Sequence, residues 1–440
     1  MLGRFSPLVC CFLLASCTAS QSNTASTESG PSSAIDLSLN DVSVLMPYIE
    51  VPELLAEAPS IDGKAPGSNE SYIPKGVLAE LDRRMIEDSK ERNRQLDAHA
   101  SDHDFFLTTA SNEEFETKFF QTFGTFDLAS IRFDPCANAI PMKTNGGACK
   151  PQLRIVWQIL NTRDDHGKLQ LAEFDANIHT IYTLSQAEWQ ELLKGLVALH
   201  QAAGFDYTSE PLGPHPVIKK EGVGSPFLKG LMTLVGRYAR ASKLTQVAAL
   251  ANTAPMFEGH WPMQAFEVKN GTIVDGFVPL TQYKIQRISG AQGTLGFPSP
   301  LVSITDQYLI PRDAPEKTLQ ERYDATRRVE NPRMHDVSNT DCGSCHMTRE
   351  SQRGLDFEKE MAAGGGNGAG GTVTALTGPF TEPRDLYKSQ KWNLARSPEF
   401  NEDNTSLQMF SFFNSHYAVS QRTINESAEV LDMISASQKH

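Results

Sequence analysis

Two thiols and an imidazole lie close together in the stretch NTDCGSCHMTRE, residues 339–350. Two residues separate Cys342 from Cys345, and His346 follows the second cysteine directly. Residues of these types hold a covalently attached haem, form part of a zinc site, or make a redox disulfide. A zinc site of this kind needs further ligands, and the chain contains no second C-x-x-C. A thioredoxin-like disulfide would require a surrounding βαβ pattern, which this part of the sequence lacks.

The order and spacing of the three residues favour haem. Two thiols about one helical turn apart can add across the two vinyl groups of the ring, and a histidine next to the second thiol then reaches the iron. We therefore predict one covalently attached haem c, with Cys342 and Cys345 as attachment sites and His346 as an iron ligand. An exported protein would fit this chemistry, because c-type haem is attached outside the cytoplasm.

Composition excludes one class of partner. The chain has 440 residues, with 40 Lys and Arg against 53 Asp and Glu, and a formal net charge of -13. A nucleic-acid binder would show a basic footprint, and a polybasic membrane patch would show a cluster of lysine and arginine. We expect no nucleic-acid partner.

The N-terminus predicts export and a membrane tether. A short basic start and an apolar run precede Leu14-Ala15-Ser16-Cys17, which resembles the lipobox of bacterial lipoproteins. The resemblance implies that residues 1–16 are a signal peptide and that Cys17 becomes the lipidated N-terminus. Thr18, where an Asp would retain such a protein at the inner membrane, favours the outer membrane, with the protein facing the periplasm. The alternative is a plain secretory signal peptide.

A second pair of cysteines flanks a loop. Cys136 and Cys149 enclose a segment with Pro141 and the turn residues Gly146-Gly147. In an oxidising compartment we expect them to form a disulfide, which would stabilise the fold by about 3 kcal/mol. The alternative is two buried free thiols.

Patterning divides the rest of the chain. We interpret residues 17–73 as a lipidated flexible tether followed by an extended segment. Residues 74–313 are predicted to form an α+β domain of unknown function with a mixed sheet. Strands are predicted at 152–160 and nearby segments, a helix capped by Ser185 follows, and Asn270-Gly271 predicts a hairpin turn. Helical charge patterning also predicts a surface helix from about residue 75 onward.

Residues 314–440 contain a helix before the motif, a short helix at 382–392 and a final helix with an apolar stripe of Ile424, Ala428, Leu431 and Ile434. This order of elements around CGSCH resembles single-haem c-type cytochromes. The resemblance implies an all-α cytochrome c-like domain, with a methionine from a late loop on the second face of the iron. The overall fold class is then α+β, a mixed-sheet domain followed by a cytochrome c-like domain.

The sixth iron ligand has several candidates. Met409 lies in an aromatic-rich segment just before the final helix, where the cytochrome family places its methionine. His416 is the first alternative, followed by Met361 and an open coordination site. His179 and His200 are predicted to be structural.

The leading functional hypothesis is electron transfer by a membrane-tethered mono-haem cytochrome, which exchanges electrons with a redox partner protein. A haem-dependent enzyme with peroxidase-like or small-ligand chemistry is the alternative, and whether the chain is an enzyme stays open at this point. A third hypothesis is a scaffold lipoprotein that senses redox state or a gas.

Overall fold

The computed structural model describes residues 37–81, 83–84, 126–135, 150–160, 162–163, 169–170, 176–251, 258–276, 285–291, 319–335, 345–346, 348, 352, 355, 380–398, 409–413 and 416–437. The segment Ile35–His440 forms one compact unit. The lipobox with Cys17, the pair Cys136 and Cys149, and the candidates Cys342 and Met361 lie outside the described residues. The predicted domain boundary at 313/314 lies outside them too.

The largest sheet that the described residues form has eight strands. The strands along the chain are β1 (Ser43–Leu45), β2 (Phe126–Asp134), β3 (Gln152–Ile159), β4 (Thr162–Arg163), β5 (Leu169–Gln170), β6 (Ala176–Thr183), β7 (Leu244–Ala251), β8 (Glu258–Lys269), β9 (Thr272–Gly276), β10 (Ile285–Ala291), β11 (Phe410–Phe413) and β12 (His416–Val419). The sheet has the order β1-β2-β3-β6-β7-β8-β10, with β9 paired to β8. Small separate pairs are β4 with β5 and β11 with β12.

The described strand pairs of this sheet are all antiparallel. The mixed sheet predicted from the sequence is wrong in this respect. The segment between β6 and β7 carries helices, but it brings the chain back beside β6 in the opposite direction. The coarser prediction of an α+β fold is confirmed.

Helices occur before, within and after the sheet. They are α1 (Leu39–Val42), α2 (Gln186–Ala202), α3 (Pro216–Glu221), α4 (Pro226–Gly236), α5 (Leu319–Arg328) and α6 (Gln421–Ser437), together with short 3₁₀ turns at Pro52–Glu57 and Ala241–Lys243. Residues 75–81 and 83–84 are also helical and begin the predicted surface helix. Within the described part of the chain, the helices are too short or too polar to cross a membrane.

Local sequence signals determine several of these boundaries. The Ser185 side chain accepts a hydrogen bond from the backbone of Glu188, whose carboxylate accepts one from the Ser185 backbone, so the predicted capping box is confirmed. Asn270 and Gly271 have φ values of 54° and 74° and connect β8 to β9, as the hairpin signal predicts.

One face of the central strands is apolar and buried. Ile155, Trp157, Ile178 and Tyr182 all lie on this face, and each is fully buried. Tyr72 covers it, with its ring 4.8 Å from that of Trp157 and its carbonyl accepting a hydrogen bond from the Tyr182 hydroxyl. The N-terminal segment is therefore part of the core and contributes through apolar burial.

The C-terminal section shares this core. The predicted stripe of α6 is buried and belongs to the same cluster as the sheet residues: Ile424, Ala428, Leu431 and Ile434. The predicted helix at 382–392 is wrong, because the segment forms turns. Its side chains bind α6 instead, since Trp392 Nε1 donates to Asp432 at 3.1 Å and Lys391 Nζ lies 3.3 Å from Ser435 Oγ.

Candidate functional site

The described part of the C-x-x-C-H motif is helical. Cys345, His346 and Thr348 are helical, and Thr348 Oγ1 donates a hydrogen bond to the Cys345 carbonyl at 3.0 Å. Cys345 packs against Ala325 and Val329, which are fully buried at the end of α5. The position of the second motif cysteine is thus determined by the helix that precedes it.

Helix α6 holds the end of α5 in place. The Arg422 guanidinium donates to the carbonyl of Val329 at 2.7 Å and to that of His335 at 2.5 Å. Asn425 Nδ2 donates to the carbonyl of Glu330 at 2.8 Å. These bonds satisfy carbonyl groups at the end of a helix, which would otherwise lack partners. The helix before the motif and the final helix therefore form one assembly.

The β11–β12 hairpin and α6 cover the second face of the sheet, which is the face opposite to the one that carries Trp157. Gln158 Nε2 donates to the Phe412 carbonyl at 2.7 Å, and the Phe412 amide donates back to Gln158 Oε1 at 3.0 Å. Ser130 Oγ donates to the carbonyl of Phe410 at 2.6 Å. The aromatic-rich segment before the final helix thus forms the β11–β12 hairpin. These hydrogen bonds join the hairpin to the sheet.

We call this second side of β2, β3 and β6 the covered face. Its register follows from three pairs: Ser130 opposite Val156, Arg132 opposite Arg154, and Val156 opposite His179. Side chains alternate along a strand, so these residues point to the same side of the sheet. The covered face consequently carries two guanidinium groups and an imidazole.

A cluster of charges connects the covered face to α6. Arg132 binds Glu426 through a salt bridge, and Arg422 Nε donates to the same carboxylate at 2.6 Å. Asp134 lies 3.7 Å from Arg154 Nη2 and 4.0 Å from Arg132 Nη2. Among the described residues, this arginine cluster consists of three guanidinium groups, those of Arg132, Arg154 and Arg422, and the two carboxylates of Asp134 and Glu426.

Protonation in the arginine cluster follows from burial and pairing. Burial alone would raise the pKa of Glu426, but the charges of Arg132 and Arg422 outweigh it and hold this pKa far below its usual range. Burial lowers the pKa of Arg132, and Glu426 and Asp134 more than reverse that effect. Cys345 acts on the pKa of Arg132 in the same direction as these carboxylates.

His179 lies on the covered face, on β6 opposite Val156. Burial is the largest cause that lowers the pKa of His179 to about 3, and the charges of His346 and then Arg154 add to it. The imidazole is therefore neutral at physiological pH.

The two described candidates for the sixth ligand differ in exposure. Met409 is 5% exposed, and its carbonyl accepts a hydrogen bond from the Ser420 amide at 3.0 Å, at the open end of the β11–β12 hairpin. His416 begins β12 opposite Phe413 and is exposed. Both remain predictions as iron ligands.

The residues at this site fit a haem. The thiol of Cys345 and the imidazole of His346 are the required donor types, and they lie together under α5. A haem also carries two carboxylate side chains. The Arg132 Nε is buried without a hydrogen-bond partner among the described residues, and a guanidinium donor suits such an anion.

A second buried polar cluster lies elsewhere, at α1 and the end of α2. Asp41 accepts hydrogen bonds from the Ser38 amide at 2.7 Å and the Tyr207 hydroxyl at 2.6 Å, and His200 Nδ1 lies 2.8 Å from it. We call this the Asp41 cluster. His215 contacts the ring of Tyr207 at its edge and is fully buried.

Sequence reasoning did not find the arginine cluster. Arg132 and Glu426 are 294 positions apart, and neither belongs to a recognisable motif. Among the described residues, His, Cys, Asp and Glu side chains do not come together in groups of three or more that could hold a metal ion. Comparison of the chain with protein-family models, curated proteins and solved structures finds no match.

Proposed function

We propose that this chain is a mono-haem c-type cytochrome, tethered to the membrane of the bacterial cell envelope and engaged in electron transfer. Residues 314–440 would form its cytochrome c-like section, with Cys342 and Cys345 attached to the ring and His346 bound to the iron. The observation that carries the proposal is the C-x-x-C-H motif, whose described residues Cys345 and His346 are helical, with Cys345 packed against the end of α5. A bound haem supplies reversible one-electron chemistry at its iron.

The protein would contribute position and electrostatics. Helix α5 presents Cys345, and α6 holds α5 through Arg422. Arg132 and Arg154 would neutralise the carboxylate side chains of the ring in a buried place, where an unpaired carboxylate is costly. A covered ring keeps water from the iron, which helps to set the reduction potential.

The N-terminal sequence supports the location. Lipidation at Cys17 would hold the protein at the envelope, facing the periplasm and more suitably at the outer membrane. The partner would be a redox protein that reaches an edge of the haem.

Covalent attachment is the first test. The full chain, expressed with a c-type haem maturation system, should give a haem-staining band on a denaturing gel. Replacing Cys342 and Cys345 together by alanine should abolish that band, because no thioether can form. The matched control replaces Cys136 and Cys149 together, a change that removes the same number of cysteines and should leave the stain.

The outcomes separate clearly. A wild-type chain without stain, or a Cys342→Ala/Cys345→Ala variant that keeps it, would contradict the haem proposal. Membrane fractionation tests the tether, since Cys17→Ser should move the protein to the soluble fraction. Persistence of that variant in the membrane fraction would contradict lipid attachment at this residue.

A further inference from the structure

A groove with a volume of about 440 Å³ lies between α2 and α4. Gly195 and Ala198 line it from α2, and Gly230 and Leu234 line it from α4. Its lining is mostly apolar and comes from these two helices and the residue that follows α4. Ala198 is exposed, so the groove is open to solvent.

Two glycines determine how closely the helices approach. A Cβ atom on Gly195 would lie 2.7 Å from Leu234 Cδ1, and one on Gly230 would lie 2.5 Å from Leu199 Cδ2. A larger side chain at either glycine would force these leucines to move. Small and aliphatic groups therefore form the base of the groove.

Two cations line the groove as well. Lys229 and Arg237 are both exposed, and the eight positions between them correspond to about 12 Å along the helix axis. Neither side chain has a carboxylate partner among the described residues, whereas the two acidic residues of α2, Glu188 and Glu191, are each paired with a lysine. On a chain with a formal net charge of -13, this is a local positive site.

An apolar groove with two separate cations suits an amphipathic ligand with two separate negative charges. A helix meets this description, since acidic residues seven or eight positions apart lie about 10–12 Å from each other along its axis. The apolar residues between them would lie on the base of the groove, as in other helix-in-groove complexes. An anionic bilayer and a second copy of this chain fit less well, because the net charge of -13 repels both.

We propose that the groove between α2 and α4 binds an acidic amphipathic helix of a partner protein, with Lys229 and Arg237 paired to its carboxylates. Exposed ion pairs contribute little affinity each, so the apolar base supplies most of it and the two cations select the partner. The inference does not depend on a haem, and its test is separate from that of the proposed function.

Labelled synthetic peptides are the probe. One is an amphipathic helix with leucines on one face and two glutamates two turns apart beside them, and the other has lysines in place of these glutamates. The full chain with Cys17→Ser should bind the acidic peptide roughly 10-fold more tightly than the basic one in fluorescence anisotropy, and salt should reduce the difference. Equal binding of the two peptides, or no binding of the acidic one, would overturn the proposal.

Charge reversal tests the two cations. Lys229→Glu together with Arg237→Glu should reverse the preference, so that the basic peptide binds more tightly. The matched control, Lys269→Glu with Lys388→Glu, makes nearly the same change in net charge at two exposed lysines outside the groove and should keep the preference. If the control loses the preference as fully as the groove variant does, the attraction is general and the proposal is wrong.

Ala198→Trp tests the groove itself. It fills the groove without altering any charge, at an exposed position where the fold should tolerate it, as far-UV circular dichroism can verify. Binding of the acidic peptide should weaken roughly 10-fold, because the apolar base is no longer accessible. A folded Ala198→Trp variant that binds like the wild type would overturn the proposal.

Further measurements address other occupants. A concentration-dependent dimer in sedimentation velocity that Ala198→Trp abolishes would assign the groove to a second copy. Flotation with phosphatidylglycerol vesicles that the Lys229→Glu/Arg237→Glu variant abolishes would assign it to an anionic lipid surface. Either result would overturn the assignment to a partner helix. A chain that carries no covalent haem but selects the acidic peptide would refute the proposed function and leave this inference intact.

Discussion

The arginine cluster and the Asp41 cluster are both buried and polar, but they differ in how their charged groups and hydrogen-bond donors are paired. In the Asp41 cluster one carboxylate receives hydrogen bonds from a backbone amide and a tyrosine, with a histidine nitrogen at 2.8 Å. In the arginine cluster three guanidinium groups share two carboxylates, and the Arg132 Nε lacks a partner among the described residues. Buried polar groups are normally satisfied, so the Arg132 Nε is a donor that suits an anionic ligand.

The largest effect on stability is expected from the arginine cluster. Glu426→Gln removes the carboxylate that is paired with both Arg132 and Arg422, and leaves Arg132 only the more distant Asp134 and Arg422 only backbone carbonyls. The expected loss is on the order of 3–5 kcal/mol in the free energy of unfolding. Urea unfolding followed by tryptophan fluorescence measures it. If the loss stays below about 1 kcal/mol, solvent screens this pair as it screens a surface one.

Glu429 provides the matched control for that variant. It lies one turn further along α6 and binds Arg333 at 2.7 Å, but the Arg333 side chain is 54% exposed. Glu429→Gln should therefore change the stability by only about 0–1 kcal/mol.

The pH dependence of Glu426→Gln sharpens the contrast. The pKa of Glu426 is lowered in the folded state, so its stabilising contribution is present above the unfolded value of about 4.3 and is lost as the pH falls below it. The difference in stability between wild type and Glu426→Gln should be largest near neutral pH and shrink in acid.

A smaller effect is expected in the Asp41 cluster. Tyr207→Phe removes the hydroxyl that donates to Asp41 at 2.6 Å, and a hydrogen bond to a carboxylate contributes about 1.5–3 kcal/mol. Tyr72→Phe is the control, because the Tyr72 hydroxyl is buried without a partner among the described residues. Its removal should be neutral or stabilising. Equal losses in the two variants would show that the tyrosine ring, and not the hydrogen bond, determines the result.

The smallest effect is expected at His215. Neither ring nitrogen has a hydrogen-bond partner within the described part of the chain, so His215→Leu should change the stability by less than about 1 kcal/mol at neutral pH. His200→Leu, which loses the contact with Asp41, should cost more. A clear loss in His215→Leu would indicate a partner on the ring, such as a bound water.

Acid should lower the stability of the wild type relative to His215→Leu. Burial lowers the pKa of His215 to about 4, with Asp41 opposing and His200 reinforcing this shift. Below the unfolded value of about 6.5, the unfolded chain takes up a proton that folded His215 does not, so wild-type stability falls as the pH drops toward about 4. This loss is absent in His215→Leu, and urea unfolding at a series of pH values measures it.

Local signals in the sequence predict individual helices, strands and turns better than the contacts between them. The cap at Ser185 and the turn at Asn270-Gly271 depend on neighbouring residues, and the structure confirms both. The helix predicted at 382–392 is wrong because its aromatic and basic side chains bind α6, a contact that no local pattern reveals.

The residues of the candidate site differ in the same respect, because some are recognisable from the sequence and others only from the structure. The motif residues Cys345 and His346 are recognisable from spacing alone. Arg132 and Arg154 are not, since their relevance depends on strand register and on which face the C-terminal section covers.

The contact between α1 and α6 has a consequence for how the protein matures. Ser43 Oγ lies 2.7 Å from Ser427 Oγ, although 384 positions separate the two residues. A chain that emerges from the ribosome or the export channel N-terminus first must keep Leu39–Val42 uncovered until almost its whole length has followed. During this interval the apolar segment is exposed to misassociation. On the proposed function, the C-x-x-C-H motif would also still be accessible to the machinery that attaches a haem. Closure of α6 would end both conditions at once, which makes the final helix the step that commits the molecule to its mature form.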